Sequence, residues 1–417
     1  MRTLPSQSTN TPQLEYTLVT NQAVLASFIA IWSNDTITDR RIAIDTEFIR
    51  ERTYSPVLEM VQIASPSGHI ALLDVPAIGD LSALWDFLDD DTLLKIVHAG
   101  NQDVEIITLV RGRPIAGPWF DTQVAGSFLG LGLQAGYGGI VHQILHVKLD
   151  KEEGFSDWSR RPFTESMLDY AAGDVHYLHV LEDWLGEKLL LRGRETWASD
   201  QTKRILESSA EQTPVEDLWL RIGGKHNLDA TGLAILRELT IWRDTEAKRR
   251  DKPRRNVIKD DPLLEIAKRK PRTPKSIGEL RSMPPNSGER LLSELYSCVQ
   301  RGLAVPKAQC PKFHFPPVLD EQGSALLELF AAIVKVRSLD TDLPPSLLAP
   351  SDDLRQLAST RTNPSPENPL FLGWRQDLIG HWLHACVEGR LYVCWDVELG
   401  QIKLQITDTV TVDSITI

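Results

Sequence analysis

The apolar run Arg41-Ile42-Ala43-Ile44 ends in Asp45-Thr46-Glu47-Phe48, and no other feature restricts this chain as strongly. The run reads as a buried strand, and a buried strand ends in two acids only for a reason. Side chains at i and i+2 of a strand share a face, so Asp45 and Glu47 stand side by side. Two carboxylates that close cost free energy unless a cation or a shared proton compensates them. The pair belongs either to a metal site or to acid–base chemistry.

A length of 417 residues predicts about two to four domains. Its 42% hydrophobic and 24% charged residues are those of an ordinary globular protein. No apolar stretch is long enough to span a bilayer, so no membrane partner is expected. Residues 1–13 lack the apolar core of a secretory signal, and the expected compartment is the cytoplasm. Cys298, Cys310, Cys386 and Cys394 have no metal-ligand spacing; they suit a reducing compartment and argue against zinc. A net charge of −12 runs against nucleic-acid binding. Residues 243–275 break that average, with thirteen Lys and Arg against six Asp and Glu.

Strand and helix signals alternate from residue 15 to about 190. Strands are expected at 16–19, 42–48, 58–64, 69–75 and 94–98, with a turn at Ser65-Pro66-Ser67-Gly68. Helices are expected at 23–32, 81–88 and 104–110, and one long helix at 168–191. Hairpins followed by βαβ units predict a mixed sheet flanked by helices. Beyond residue 207 the strand signals stop. Residues 214–303 read as short helices broken by Pro and Gly, 310–317 as a linker, and 324–388 as a second helical block of similar length. The tail, 390–417, alternates β-branched residues and reads as a hairpin.

Two further acids stand out. His98-Ala99-Gly100-Asn101-Gln102-Asp103 follows a strand and opens a helix, which puts Asp103 at the strand's C-terminal edge, where ligands of open α/β sheets collect. Taken alone, capping or dipole compensation is the commoner role of such an acid. Tyr170 and Asp174 are spaced to share one helix face. Asp45, Glu47, Asp103 and Asp174 together form an oxygen-only donor set, which suits Mg²⁺ or Mn²⁺. Two such ions about 4 Å apart would clamp a phosphodiester displacement. Tyr170 would orient water, since a phenol of pKa about 10 is a poor base.

In order and spacing, Asp45-Thr46-Glu47-Phe48, His98-Ala99-Gly100-x-x-Asp103 and Tyr170-x-x-x-Asp174 resemble the three motifs of the DEDD exonuclease superfamily, tyrosine-bearing branch. Flanking blocks resemble the ribonuclease D family: Arg50-x-Arg52-Thr53-Tyr54, Phe120-Asp121-Thr122-Gln123, Leu149-Asp150-Lys151, Asp157-Trp158 and Arg161-Pro162. Residues 219–303 resemble an HRDC module, and 324–389 a more diverged copy. The resemblance implies a ribonuclease H-like α/β exonuclease domain at 15–207 after an N-terminal extension at 1–14 expected to be disordered. Two all-α HRDC-type domains would follow, at 212–303 and 324–389, with a linker at 304–323 and a strand-like tail at 390–417. It also implies 3′→5′ exoribonuclease activity on tRNA precursors and other RNAs with free 3′ ends. Two metal ions would release nucleoside 5′-monophosphates, and the protein would act as a monomer. By the same analogy Asp45 bridges both metals, Glu47 and Asp174 complete one site, Asp103 supports the other, and Tyr170 positions the nucleophilic water. A DNA exonuclease, or an RNA-binding scaffold with a vestigial nuclease fold, are the alternatives.

Phe48 is equally suited to stacking on a terminal base and to packing in the core. Trp158 and Arg161 are candidates for a substrate groove, with packing the commoner role for the tryptophan. Arg50, Arg52 and Lys151 are candidate phosphate contacts. His98 is expected to satisfy hydrogen bonds rather than bind metal, and Asp121 to cap a helix. The basic run, above all Arg249, Arg250, Arg254 and Arg255, is the stronger case for RNA contact, because phosphates supply most sequence-independent affinity. A solvated helical surface is the bland reading of the same run. Neutralising those four arginines together is predicted to weaken RNA binding and flatten its salt dependence; an unchanged slope in a salt titration would reject the contact.

Overall fold

The computed structural model describes residues 14–149, 153–154, 156–313, 317–361 and 367–407. The expected extension therefore lies, but for Leu14, outside the described residues, as do Lys151 and residues 408–417 of the tail.

The first domain runs β1 (Tyr16–Val19), α1 (Gln22–Asp35), β2 (Arg41–Ile49), β3 (Val57–Ala64), β4 (Ile70–Asp74), α2 (Val75–Ile78), α3 (Ser82–Leu88), β5 (Leu94–Val97), α4 (Asn101–Arg111), β6 (Trp119–Asp121), α5 (Thr122–Ser127), α6 (Tyr137–Leu145), α7 (Glu165–His176), α8 (Leu178–Leu191) and α9 (Glu195–Ala210). The six strands form one mixed sheet in the order β1-β4-β3-β2-β5-β6. β2, β3 and β4 are antiparallel, while β1 joins β4, and β5 and β6 join on beyond β2, in parallel. One face packs Ile42, Ile44, Val61 and Ile63 against Leu25, Trp32 and Leu84 of the α1–α3 layer. The other packs Ala43, Met60 and Ile96 against Ala171, Ala172 and Val175 of α7. A strand covered on both faces reads as a continuous apolar run, hence the unbroken Ile42-Ala43-Ile44.

The single long helix expected at 168–191 is two helices, α7 and α8, parted at Tyr177. The cause lies elsewhere in the sequence. The buried Tyr137 hydroxyl of α6 donates to the Gly173 carbonyl at 2.9 Å and accepts from the Tyr177 N–H at 3.2 Å. A side chain inserted among a helix's own hydrogen bonds is a recognised cause of a kink. β6, the extent of α5 beyond its expected cap Asp121, and α6 were not anticipated. They are three, six and nine residues long, shorter than the window in which periodicity becomes legible.

The next module comprises a 3-10 turn, Val215–Arg221, then α10 (Ala230–Arg250), α11 (Arg254–Val257), α12 (Asp260–Arg269), α13 (Pro274–Gly278) and α14 (Glu289–Ala304). Its own core holds Trp219, Leu236, Ile266, Leu295 and Val299. α10 and α14 approach closely at Gly302, where a Cβ would meet the Ile235 Cα at 2.5 Å.

The last module comprises α15 (Glu321–Thr341), α16 (Pro345–Leu348), α17 (Ser351–Thr360) and helical residues 373–387, which include a π turn, Gln376–Gly380. It has no separate core. Phe330, Leu347 and Trp374 join one cluster with Phe128, Leu181 and Leu185 of the exonuclease domain. Trp374 meets Phe128 edge-on at 5.1 Å and stacks on Trp197 at 5.8 Å. Arg194 ties the two parts by donating to the carbonyls of Phe128 and Thr341, each at 2.6 Å. The tail's described part is an antiparallel hairpin, β7 (Leu391–Asp396) with β8 (Gln401–Ile406), as its alternation suggested.

Because this core is shared, Trp374→Ala is expected to cost about 3–5 kcal/mol. It should lower the melting of the exonuclease domain and the last module together. Two well-separated calorimetric transitions for those parts would contradict a common core.

Candidate active site

β2 carries Asp45 and Glu47 to its C-terminal end, as the alternation of a strand requires. α7 brings Asp174 and Tyr170 across the same face. Carboxylate oxygens of Asp45, Glu47 and Asp174 all lie within 4.8 Å of one another. Asp103 stands beside this trio rather than in it. It is buried in the first turn of α4 and accepts a hydrogen bond from the Thr46 hydroxyl.

The start of α4 is fixed from β6. Asp121 accepts from the backbone N–H groups of Ala99 and Gly100, both at 3.0 Å, and caps α5 through Gln123 and Val124. This holds Ala99 at a φ of 55°, which a non-glycine residue adopts only at a cost. Gly100 is glycine for a steric reason: a Cβ there would lie 2.5 Å from the Val97 side chain. His98 bonds Thr122 at 2.9 Å, and burial holds its pKa below the ordinary value. Its other ring nitrogen, Nε2, is buried with no hydrogen-bond partner among the described residues.

The four acids share one electrostatic condition. Burial, then repulsion from Asp174 and Asp103, lifts the Glu47 pKa from 4.5 to about 9. Burial lifts Asp174 to about 7 and Asp103 to about 6, and it drives Asp45 well above its usual range, with the other three acids adding to the push. Three acids nearby are matched by arginine: Glu105 by Arg50, and Glu59 and Asp74 by Arg161. Among the described residues, none of the four is matched in this way. Across the β2–β3 ladder Asp45 faces Gln62, which is fully buried and whose amide has no hydrogen-bond partner among the described residues. Buried polar groups are almost always satisfied. An oxygen-only cluster of unmatched acids beside an orphaned amide fits a hard divalent cation.

Tyr170 bonds Asp174 through its hydroxyl, and burial followed by the charges of Asp174, Glu47 and Asp45 drives its pKa up. It stays a phenol. Trp158 does not line a groove. It is 2% exposed and packs 6.3 Å behind the Tyr170 ring, because an indole is more stable buried than wet. Arg161 is held by carboxylates. It clamps Asp74 at 2.8 and 2.9 Å and reaches Glu59 at 3.1 Å. Phe48 packs on the α1–α3 core with the Arg50 guanidinium 4.8 Å over its ring. Arg50 pairs with Glu105 at 2.7 Å, and Arg52 with Asp157 at 2.6 Å. In the basic run Arg249 and Arg250 both bond Glu246, while Arg254 bonds Asp244. Arg255 remains 78% exposed.

The sequence reading missed Thr46, Gln62 and Tyr137. A signal existed for Gln62, an amide in the middle of the apolar run Leu58–Ala64. None existed for Tyr137, whose partners lie 36 and 40 residues away.

A mixed sheet with this acidic cluster at the C-terminal end of β2 defines a ribonuclease H-like 3′→5′ exonuclease. Comparison with known proteins agrees. A 3′-5′ exonuclease family matches residues 16–190, and the HRDC domain family matches residues 232–299. Ribonuclease D of Sphingobium indicum is 35% identical over 395 residues, 93% of this chain and 98% of that protein. Ribonuclease D of Zymomonas mobilis is 34% identical over 94% of this chain and 98% of its own length. The crystal structure of Escherichia coli RNase D superposes with a TM-score of 0.78 at 28% identity, covering 90% of this chain and 99% of that one. The chain belongs to the ribonuclease D family and is a 3′→5′ exonuclease of that type.

A testable pH dependence follows. The folded Glu47 carboxyl, with its pKa raised from 4.5 to about 9, keeps a proton that the unfolded chain releases. Stability of the metal-free protein therefore falls as pH rises through that window. Melting in chelator should drop between about pH 5 and pH 8. Asp45→Asn should make the slope shallower and raise stability near neutrality by ~1–3 kcal/mol. A steeper slope in the variant would count against mutual repulsion.

Proposed function

We propose that the chain trims RNA from the 3′ end by hydrolysis, releasing nucleoside 5′-monophosphates. It would act as a monomer in the cytoplasm on RNAs with free 3′ ends, tRNA precursors among them. The observation that carries this reading is the convergence of Asp45, Glu47 and Asp174 within 4.8 Å, with Asp103 bonded to the adjoining Thr46. The Escherichia coli relative is described as an exoribonuclease involved in structured RNA processing, which supports RNA as the substrate class.

Asp45, Glu47 and Asp174 would hold one divalent ion, and Asp45 with Asp103 a second. When bound, two Mg²⁺ or Mn²⁺ ions stabilise charge on the attacking and leaving oxygens of a phosphodiester displacement. The residues do the rest. Tyr170, kept protonated by its surroundings, orients the attacking water by hydrogen bonding and does not accept its proton. Thr46 fixes the carboxylate of Asp103, and Trp158 fixes the ring of Tyr170 from behind. Water attacks the terminal phosphorus and the P–O3′ bond breaks; one hydrogen of the water ends on the new 3′-hydroxyl of the preceding nucleotide, and its oxygen with the other hydrogen ends on the released 5′-monophosphate.

Incubation of end-labelled RNA and DNA with Mg²⁺ or Mn²⁺ tests this, with chelator as the control. RNA should shorten from its 3′ end and chelator should stop it. Asp45→Asn should lose several kcal/mol of transition-state stabilisation, about 10³-fold or more in rate. Tyr170→Phe should slow turnover by roughly 10²-fold through misplaced water. RNA left intact, or full activity in Asp45→Asn, would reject the reading.

A further inference from the structure

A cavity of about 450 Å³ lies between the exonuclease domain and the first helical module. Its walls come from the β2–β3 loop, from α4, from the chain leaving α9, and from the ends of α10 and α11. Arg50, Arg221, Lys248, Arg254 and Arg255 line it, against only two acids, Glu105 and Glu211.

The five cations are not equivalent. Arg50 is matched by Glu105 at 2.7 Å. Lys248 and Arg254 converge on the buried Asp244 at 3.0 and 2.6 Å. Burial works against the charge of Asp244, yet hydrogen bonds from Tyr54, Lys248 and Arg254 outweigh it and hold the carboxyl below its usual range. Arg221 is exposed and has no hydrogen bond or ion pair among the described residues. Arg255 has one carboxylate, Asp260, at 3.5 Å. Arg249 and Arg250, which looked the same in sequence, lie outside the cavity with Glu246 bonded to both.

Tyr54 holds the walls together. Its hydroxyl donates to Asp244 at 2.6 Å and accepts from Arg254 at 2.8 Å, and its backbone N–H donates to Asp251 at 3.1 Å. The Arg254 guanidinium lies 4.9 Å over its ring. One residue of the catalytic domain thus bonds three of the module. The cavity is also close to the acids. Arg50 follows Glu47 by three residues, roughly 10 Å of strand at about 3.3 Å per residue, and Glu105 is two residues beyond Asp103 on α4.

We propose that this cavity binds phosphates of the RNA strand just upstream of the bond being cut, with Arg221 and Arg255 as the contacting cations. The proposal rests on the exonuclease reading above. A strand whose 3′ end lies among four acids meets a repulsive field, and its backbone leaves past the end of β2. Cations there offset that field, and a cleft lined by one sign of charge concentrates the opposite one. The Arg221 guanidinium has no carboxylate partner among the described residues, and Arg255 has only the long contact to Asp260, so both can present paired N–H donors to phosphate.

Binding of a labelled single-stranded oligoribonucleotide, measured in chelator so that it is not cut, tests the site across a salt series. The wild-type chain is compared with Arg221→Gln/Arg255→Gln and with Arg249→Gln/Arg250→Gln. The first pair should lower the slope of log affinity against log salt by about 1.4, two contacts at about 0.7 each on a single strand. The second pair should change it less. All four residues lie at the surface, and thermal melting checks that each variant folds. A wild-type slope in the first pair, or an equal loss in the second, would overturn the proposal. Because binding is read without cutting, a wild-type chain that binds RNA but never trims it would overturn the exonuclease reading and leave this site standing.

Discussion

Repulsion among half-buried carboxylates is the constraint to which the rest of the structure answers. Among the described residues, Asp45, Glu47 and Asp174 are held within reach of one another with no arginine or lysine to match them, although arginines match Glu105, Glu59 and Asp74. Such an arrangement opposes folding, and strain of this kind persists only where the surroundings over-determine it. Here they do. β2 is covered on both faces and pinned by β3 on one side and β5 on the other. α4 is fastened by Asp121, and the α7–α8 junction by Tyr137. The site's preorganisation is distributed over residues that never touch a substrate.

The two helical modules are joined to the catalytic domain by different physics. The last shares an apolar core with it, through Phe128, Trp374 and their neighbours. That contact is cohesive and specific only in shape. The first has its own core and meets the catalytic domain at Tyr54 through directional bonds to Asp244, Arg254 and Asp251. Hydrogen bonds among charged groups are worth much while intact and exchange readily with water. An apolar seam fixes one module, whereas a polar latch sets the other beside a basic cavity.

Much of this was legible beforehand. β1 to β5 stand where the apolar runs and turns placed them, because a strand buried on both faces writes its burial into contiguous residues. α7 and α8 were read as one helix since the apolar period runs on through residues 176–178 and the interruption comes from Tyr137. The basic run was visible as charge but not as free charge. Glu246, Asp244 and Asp260 pair six of its thirteen cations. Arg161 was a groove candidate because a cation near an active site suits nucleic acid, while Trp158 was read more readily as packing; Arg161 is bidentate on Asp74 and Trp158 is buried.

The sequence by itself determined the chemistry: which acids exist, their order, their oxygen-only donor set, and the tyrosine spaced to share a helix face with Asp174. Those are properties of residue type and local period, which short-range geometry translates directly. Only the tertiary structure decided the grouping. It placed Asp103 on the Thr46 hydroxyl while Asp45, Glu47 and Asp174 close into a trio, and among the described residues it left Arg221 unmatched while Arg254 meets Tyr54 of the catalytic domain. Partners separated by tens to more than a hundred residues are chosen by packing, and no local spacing encodes a distance of that kind.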